Sequence, residues 1–165
     1  MAMVQEVESA RFAGIPASAV ANNFKIHIAK FKDMCRIDSG MFKKEYTLEF
    51  EDRGSYLYAR LNGKDSFVDS LSYWHQIADR VKDLGFHRLL VHENLEGEVS
   101  EGEIYDLVID LKDTDLLSVK IAFYDENQDE AALNAFAQLV AVNRGGNVKI
   151  FHSLGTAQRW IEQVG

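Results

Sequence analysis

Apolar and polar residues alternate in two short runs near residue 50, and a period of two is typical of β-strands. The first run, EYTLEF, covers residues 45–50, and the second, SYLYARL, covers residues 55–61. The gap between the runs is short and contains Gly54. This pattern predicts a β-hairpin.

Farther along the chain the apolar residues recur at spacings of three and four, which is typical of helices packed on a core. Four segments show this spacing. Their apolar stripes are Phe67, Leu71, Trp74, Ala78, Val81 and Leu84; Ile104, Leu107, Val108 and Leu111; Ala132, Phe136, Leu139 and Val140, with Asn143; and Ala157, Trp160, Ile161 and Val164.

Capping residues mark where two of these helices begin and end. Asp65 or Ser66 can accept hydrogen bonds from the free N–H groups at the start of the first helix. Gly85 ends that helix, because glycine takes the left-handed conformation without steric cost. Ser100 and Glu103 have the spacing of a capping box at the start of the second helix.

Three further alternating segments lie between the helices, at residues 87–93, 118–124 and 147–151. The element order is therefore β-β-α-β-α-β-α-β-α. Strands that alternate with helices pair in parallel through right-handed crossovers. The chain is predicted to be an α/β protein with a five-strand mixed sheet and four helices.

The two faces of the predicted strands differ in character. One face is aliphatic and is expected to hold most of the helices. The other face carries lysine, arginine and the aromatic residues Tyr56, Tyr58, Tyr124 and Phe151. An exposed aromatic patch is typical of a ligand or partner surface. The alternative is that residues 1–40 cover this face.

The domain organisation is an N-terminal extension over residues 1–41, followed by the α/β domain over residues 42–165. Within the extension, residues 24–31 (FKIHIAKF) alternate as a strand does, and residues 17–23 are compatible with a helical turn. We expect the extension to cover the second sheet face or to pair with a partner chain.

Composition narrows the functional class. The chain has 165 residues, 26 Asp and Glu, 18 Lys and Arg, and a formal net charge of −8, which disfavours binding to nucleic acid. Cys35 is the single cysteine, so no internal disulfide or cysteine zinc cluster forms. No apolar run approaches the ~20 residues of a membrane helix, and the N-terminus lacks the apolar core of a secretory signal. A cytoplasmic protein without cofactor is expected.

Three groups of polar residues are candidate sites. The NRGG stretch at residues 143–146 follows a helix and precedes a strand, which is the reverse of a phosphate loop, so we interpret Gly145 as a helix C-cap. Acidic residues follow the third and fourth strands. They are Glu93, Glu96, Glu98, Glu101 and Glu103 after the third strand and Asp125, Glu126, Asp129 and Glu130 after the fourth. We expect them to complement helix N-termini, and the alternative is that their oxygens hold a divalent cation. His92 and His152 end two strands at this edge; chance placement is the simpler interpretation, and metal ligands or an acid/base pair are the alternatives.

The C-terminal half resembles the bacterial SpoIIAA-like proteins of the STAS/Sec14-like group. That group has a helix ending near Asn-Arg-Gly, a strand ending in Phe, and then an Ala-x-x-Trp-[Leu/Ile] helix. The matching positions here are Asn143, Arg144, Gly145, Phe151, Ala157, Trp160 and Ile161. The resemblance implies a (β-α) superhelix with helices chiefly on one face.

The resemblance also implies a functional class. It suggests a non-enzymatic regulatory or protein-interaction module that binds a protein partner or self-associates, with a homodimer expected. The alternative is a binder of a small apolar or lipid-like ligand. The predicted ligand or partner surface comprises Tyr56, Tyr58, His92, Tyr124, Phe151 and His152.

Some related regulators are switched by phosphorylation of a serine in an Asp-Ser-Ser-Gly-like stretch. Here Ser100 lies near the corresponding place, and is the candidate phospho-acceptor. The surrounding sequence, VHENLEGEVSEGE, departs from that motif. Its acidic residues would repel a phosphate.

Overall fold

A computed structural model describes residues 44–97 and 99–163, which belong to one unit beginning at Lys44. The predicted extension over residues 1–41 lies outside the described residues. The strands are β1 (Tyr46–Asp52), β2 (Leu57–Lys64), β3 (Arg88–Glu96), β4 (Lys120–Asp125) and β5 (Asn147–Phe151). The helices are α1 (Phe67–Leu84), α2 (Glu101–Leu111), α3 (Ala131–Val142) and α4 (Leu154–Glu162), with 3₁₀ turns at Asp115–Ser118 and Gln128–Glu130.

The strands lie in the sheet in their chain order, β1-β2-β3-β4-β5. β1 and β2 form the predicted antiparallel hairpin, and each later strand pairs in parallel with the one before it. Because each right-handed crossover moves one strand in the same direction, the three crossover helices α1, α2 and α3 lie on the same face. The predicted α/β class, with a five-strand mixed sheet and four helices, is confirmed.

The predicted caps are also confirmed. The Ser66 side chain accepts a hydrogen bond from the Asp69 N–H at the start of α1. Gly85 ends α1 with φ 70°. Gly145 follows α3 with φ 86°, and its N–H bonds to the Val142 carbonyl, which supports the interpretation of NRGG as a helix end.

The main core lies between α1 and the aliphatic face of the sheet. Ile77 of α1 and Leu61 and Val91 of the central strands are fully buried there. Burying each such side chain contributes roughly 1.5–3 kcal/mol. Trp74 of α1 stacks against Phe123 of β4, with ring centroids 6.3 Å apart. This core fixes α1 firmly against the sheet.

The second sheet face is covered in part by α4, which the sequence did not place. Ala157 and Ile161 of α4 form a buried cluster with Tyr56, Tyr58, Leu90 and Ala122. Tyr56 is 3% exposed and Tyr58 is 9% exposed. The prediction that these tyrosines belong to an exposed patch is therefore wrong, because α4 returns across the sheet after β5.

Two cations of the second face hold the end of α4. The Lys120 ammonium donates to the carbonyl oxygens of Trp160 and Gln163, at 2.7 and 3.0 Å. The Arg88 guanidinium donates to the carbonyls of Ile161 and Glu162. Cations at a helix C-terminus complement its partial negative charge. Basic residues on this face thus have a structural role.

The third helix differs from its predicted pattern. Leu139, predicted on the packed side, is 57% exposed, and Ala132 is also exposed. The physical reason is that α3 is apolar on nearly its whole circumference, so its periodicity does not select one face.

Across residues 44–97 and 99–163, the structure contains no helix that could span a membrane.

Candidate functional site: a cavity with an acidic end

The helix layer does not close tightly on the sheet at α2. This helix packs mainly against α1 and α3, and Leu107 is its one buried residue. The His75 ring of α1 and the Asp110 carboxylate of α2 pair at 2.5 Å and help to join the two helices. Because α2 packs on its neighbouring helices rather than on the strands, a space remains between α2 and the sheet.

That space is a cavity of about 120 Å³ between α1, α2, α3 and the aliphatic face of the sheet. Its walls are apolar. They include Trp74 of α1, Ile104 and Val108 of α2, Ala137 of α3 and Ile121 of β4. The alternative function placed a ligand against the mixed sheet face, whereas this cavity lies on the aliphatic face.

One end of the cavity is acidic. Four carboxylates lie near one another at the carboxyl ends of the parallel strands: Asp65 after β2, Glu93 in β3, Asp125 at the end of β4 and Glu130 before α3. Glu93 and Asp125 are directly paired in the β3–β4 register. Single oxygens of Glu93, Asp125 and Glu130 lie within 4.8 Å of one another.

Three of these carboxylates are held by hydrogen bonds. Asp65 accepts from the Ser66 N–H, the Ser70 hydroxyl and the Tyr73 hydroxyl, at 2.8, 2.8 and 3.2 Å. These bonds fix the Asp65 side chain beside the first turn of α1. Burial nevertheless raises the pKa of Asp65, and the same bonds partly offset that rise.

The other two hydrogen-bonded carboxylates share asparagine partners. Asp125 accepts from the Asn127 N–H and the Asn134 amide, both at 2.8 Å. Glu130 accepts from the Asn127 amide at 2.9 Å. Burial is the main cause that raises the pKa of Asp125 and of Glu130. For Glu130, the Asp125 charge raises the pKa further.

Glu93 differs from the other three. It is 6% exposed, and its carboxylate has no hydrogen-bond or ion-pair partner among the described residues. Burial holds the pKa of Glu93 well above its usual range, and the charges of Asp125, Asp65 and Glu130 raise it further. A buried carboxylate that opens into a cavity without a partner is available to a ligand.

The acidic residues therefore divide into two groups. Glu103 completes the capping box, because its carboxylate accepts hydrogen bonds from the Ser100 N–H and hydroxyl. It therefore has the predicted role at a helix N-terminus. Glu93 and Asp125 lie in strands, where no helix N-terminus explains them. Ser100, the predicted phospho-acceptor, is an exposed N-cap whose hydroxyl is bonded to Glu103.

His92 lies on the opposite sheet face from Glu93 and is 5% exposed. The Tyr58 hydroxyl lies 2.6 Å from its Nδ1, and the Glu126 carboxylate lies 2.6 Å from its Nε2. A carboxylate only accepts, so Nε2 donates to Glu126, and Nδ1 accepts from the Tyr58 hydroxyl when the imidazole is neutral. Both ring nitrogens are occupied in this chain of hydrogen bonds.

The remaining predicted surface residues lie near one another at the same sheet edge but do not form one site. Tyr124 is half-buried beside His92, with ring centroids 5.0 Å apart. Phe151 packs against Trp160 of α4. His152 is exposed, and its Nδ1 lies 3.3 Å from the Gln128 amide oxygen. β4 separates β3, which carries His92, from β5, which ends one residue before His152, and no hydrogen bond joins the two rings.

No known family model matches the chain, and the curated proteins contain no significant match. The resemblance to the SpoIIAA-like group therefore stays a prediction.

Proposed function

We propose that this chain is a small-molecule-binding domain that takes an apolar ligand into the cavity between its helices and the sheet. The cavity itself carries the proposal: it is lined almost throughout by apolar side chains and lies beside the carboxyl ends of parallel strands, where α/β sheets usually bind ligands. This corresponds to the small-ligand alternative suggested by the family resemblance.

The size of the cavity limits the ligand class. An apolar cavity of about 150 Å³ is large enough to hold benzene, and this cavity is about 120 Å³. We therefore expect a ligand of the size of a single aromatic ring or a short branched chain, bound with small adjustments of the lining side chains. A longer lipid chain would have to displace α2, whose side chains are mostly half-buried. A carboxylate or phosphate head is disfavoured, because Glu93 and its neighbours would repel it.

Filling the cavity should prevent binding. Ala137 lines the cavity, whereas Ala135 of the same helix is exposed, so Ala137→Phe and Ala135→Phe form a matched pair. With toluene as the probe, we expect stabilisation of the wild type and of Ala135→Phe but not of Ala137→Phe. Binding to the native state stabilises it by about 0.4 kcal/mol when the probe concentration equals Kd, and by more above that.

The experiment is a chemical-denaturation series with and without toluene, accompanied by chemical-shift mapping of the wild type. Perturbed resonances should come from cavity-lining residues such as Ile104 and Ile121. Equal stabilisation of all three proteins, or shifts confined to the outer surface of α3, would contradict the proposal.

A second candidate function is self-association through α3, in line with the predicted interaction module. This helix has no charged residue between Ala131 and Val142. Its exposed positions form one continuous apolar stripe of Ala132, Ala135, Leu139 and Val142. Apolar helix surfaces of this kind are normally buried. A second copy of the chain offers the same stripe, and antiparallel pairing of two copies forms a closed dimer.

If this interface forms, Leu139→Lys should convert a dimer into a monomer, because dimerisation would bury an ammonium without a partner. Leu84→Lys is the control, since Leu84 is 49% exposed at the end of α1 and away from the stripe. Sedimentation equilibrium measures the mass of each protein. A wild-type monomer at all accessible concentrations would exclude this candidate without affecting the cavity proposal.

A further inference from the structure

The geometry points to a hard divalent cation, of the Ca²⁺, Mg²⁺ or Mn²⁺ class, bound by Glu93, Asp125 and Glu130 at the acidic end of the cavity. This inference goes beyond the proposed binding of an apolar ligand and does not depend on it. The cation would occupy the carboxylate cluster, while the apolar ligand would occupy the space between the helices.

The spacing of the three carboxylates suits a shared cation. One oxygen from each lies within 4.8 Å of the other two. A point central to three such atoms is at most about 2.8 Å from each of them. Ca²⁺ binds oxygen at about 2.3–2.6 Å, so side-chain movements of a few tenths of an ångström bring the ligands into range, whereas Mg²⁺, at about 2.0–2.1 Å, requires movements of about 0.7 Å.

Glu93 provides an independent observation that the cluster lacks a partner. Its carboxylate is buried at 6% exposure, lies between like charges, and accepts no hydrogen bond from any described residue. A charge buried in this way is costly unless it is paired or coordinates a metal. Glu93 also lines the cavity, so the missing partner has space to bind.

The other two ligands are oriented but not saturated. Asp125 is fixed by Asn127 and Asn134, and Glu130 is fixed by Asn127 through one of its two oxygens. A carboxylate has about four lone-pair sites, so each retains capacity for a cation. Hydrogen bonds of this kind orient the ligands of metal sites. Asn127 thus contacts both ligands: its backbone N–H donates to Asp125, and its side-chain amide donates to Glu130.

The donor set selects the class of cation. The three ligands offer only carboxylate oxygens, which suit Mg²⁺, Ca²⁺ and Mn²⁺ rather than metals that favour nitrogen or sulfur. Asp65 lies close enough to raise the pKa of Glu93 and adds further negative potential, although its oxygens already accept three hydrogen bonds, from Ser66, Ser70 and Tyr73.

The test is isothermal titration of the full chain, stripped with chelator, against CaCl₂, MgCl₂ and MnCl₂ in turn. We expect saturable binding of one equivalent of at least one of these ions. Glu93→Gln and Asp125→Asn should each weaken that binding at least tenfold. Asp129→Asn is the matched control, because it removes one negative charge next to Glu130 from an exposed side chain outside the cluster.

Several outcomes would overturn the inference. They are the absence of saturable binding for all three ions, equal binding to the wild type and Glu93→Gln, and an equal loss of binding in Asp129→Asn. Butylammonium chloride is the competing probe: if it binds at Glu93 and no divalent ion does, the cluster is a site for organic cations. Repeating the titration with Ala137→Phe separates this result from the toluene experiment, because the cation site should survive filling of the apolar cavity.

Discussion

Glu93→Gln is expected to raise the free energy of unfolding of the metal-free protein at pH 7 by about 1–3 kcal/mol, because glutamine does not ionise and so avoids the cost of an unpartnered buried carboxylate. The substitution keeps the shape of the side chain and removes its charge from a site where burial and three neighbouring carboxylates oppose ionisation. It sacrifices no hydrogen bond to a described residue. The new amide can donate to Asp125 or Glu130.

The raised pKa of Glu93 also makes the effect of Glu93→Gln depend on pH. Because the folded-state pKa of Glu93 is raised above the unfolded value of 4.5, the folded state retains its proton to higher pH than the unfolded state does. Below the unfolded pKa, Glu93 is protonated in both states and imposes no electrostatic penalty. As pH rises from there through the folded pKa, the wild type progressively loses stability relative to Glu93→Gln.

Urea unfolding from pH 4 to pH 8 in the presence of chelator measures the difference. The two stability curves should lie close together at the acidic end and separate as pH rises. Asp129→Asn serves as the control for a general loss of negative charge and should change stability by no more than about 0.5 kcal/mol. A Glu93→Gln protein that is less stable than the wild type throughout would show that the carboxylate already has an internal partner.

A stabilising substitution at a buried position is itself informative. Most core substitutions destabilise, whereas residues kept at a binding site often oppose stability. A Glu93→Gln protein that is more stable yet binds no divalent cation would connect the two effects to one side chain. The negative charge that destabilises the metal-free protein would then be the same charge that binds the cation.

Much of the fold follows from local patterns. The period-two runs predict the hairpin, and Ser66 and Gly85 mark the ends of α1 as the structure has them. The alternation of strands and helices then restricts α1, α2 and α3 to one face through crossover handedness. Each of these features depends on residues close in sequence or on a general rule of chain geometry.

The acidic end was partly visible in the sequence. Leu89 and Val91 precede Glu93 on the aliphatic face of β3, just as Ile121 and Phe123 precede Asp125 on β4. Carboxylates at core-facing positions of two strands are an unusual signal. Two other features of the site cannot be predicted from nearby residues. A 3₁₀ turn brings Glu130 into the cluster, and α2 packs on helices rather than on strands, which leaves the cavity.

The placement of α4 was also beyond sequence reasoning. Its apolar stripe predicts a helix that packs, but a C-terminal helix has no following strand to fix its side of the sheet. The side is decided by distant partners, namely Tyr56 and Leu90 within the sheet and the cations Arg88 and Lys120 at the strand beginnings. The strand pattern therefore predicts a mixed surface that is either free or covered by residues 1–40, and it does not identify this surface as the one that binds α4.

Ile161→Ala tests this placement directly and is expected to lower the free energy of unfolding by about 2–5 kcal/mol. Ile161 is 0% exposed and belongs to the cluster that contains Tyr56, Tyr58 and Leu90. Removing its side chain loses apolar burial and leaves a cavity that Ala157, already small and fully buried, cannot fill. Urea unfolding measures the loss.

Leu84→Ala is the matched control, because it removes a comparable side chain that is 49% exposed at the end of α1. It should change the free energy of unfolding by no more than about 0.5 kcal/mol. If Ile161→Ala costs as little as this control, α4 contributes nothing to the second face. Tyr56 and Tyr58 would then be free to form the exposed aromatic surface that the strand pattern predicts. A loss of several kcal/mol would instead leave the cavity on the opposite face as the better place for a ligand.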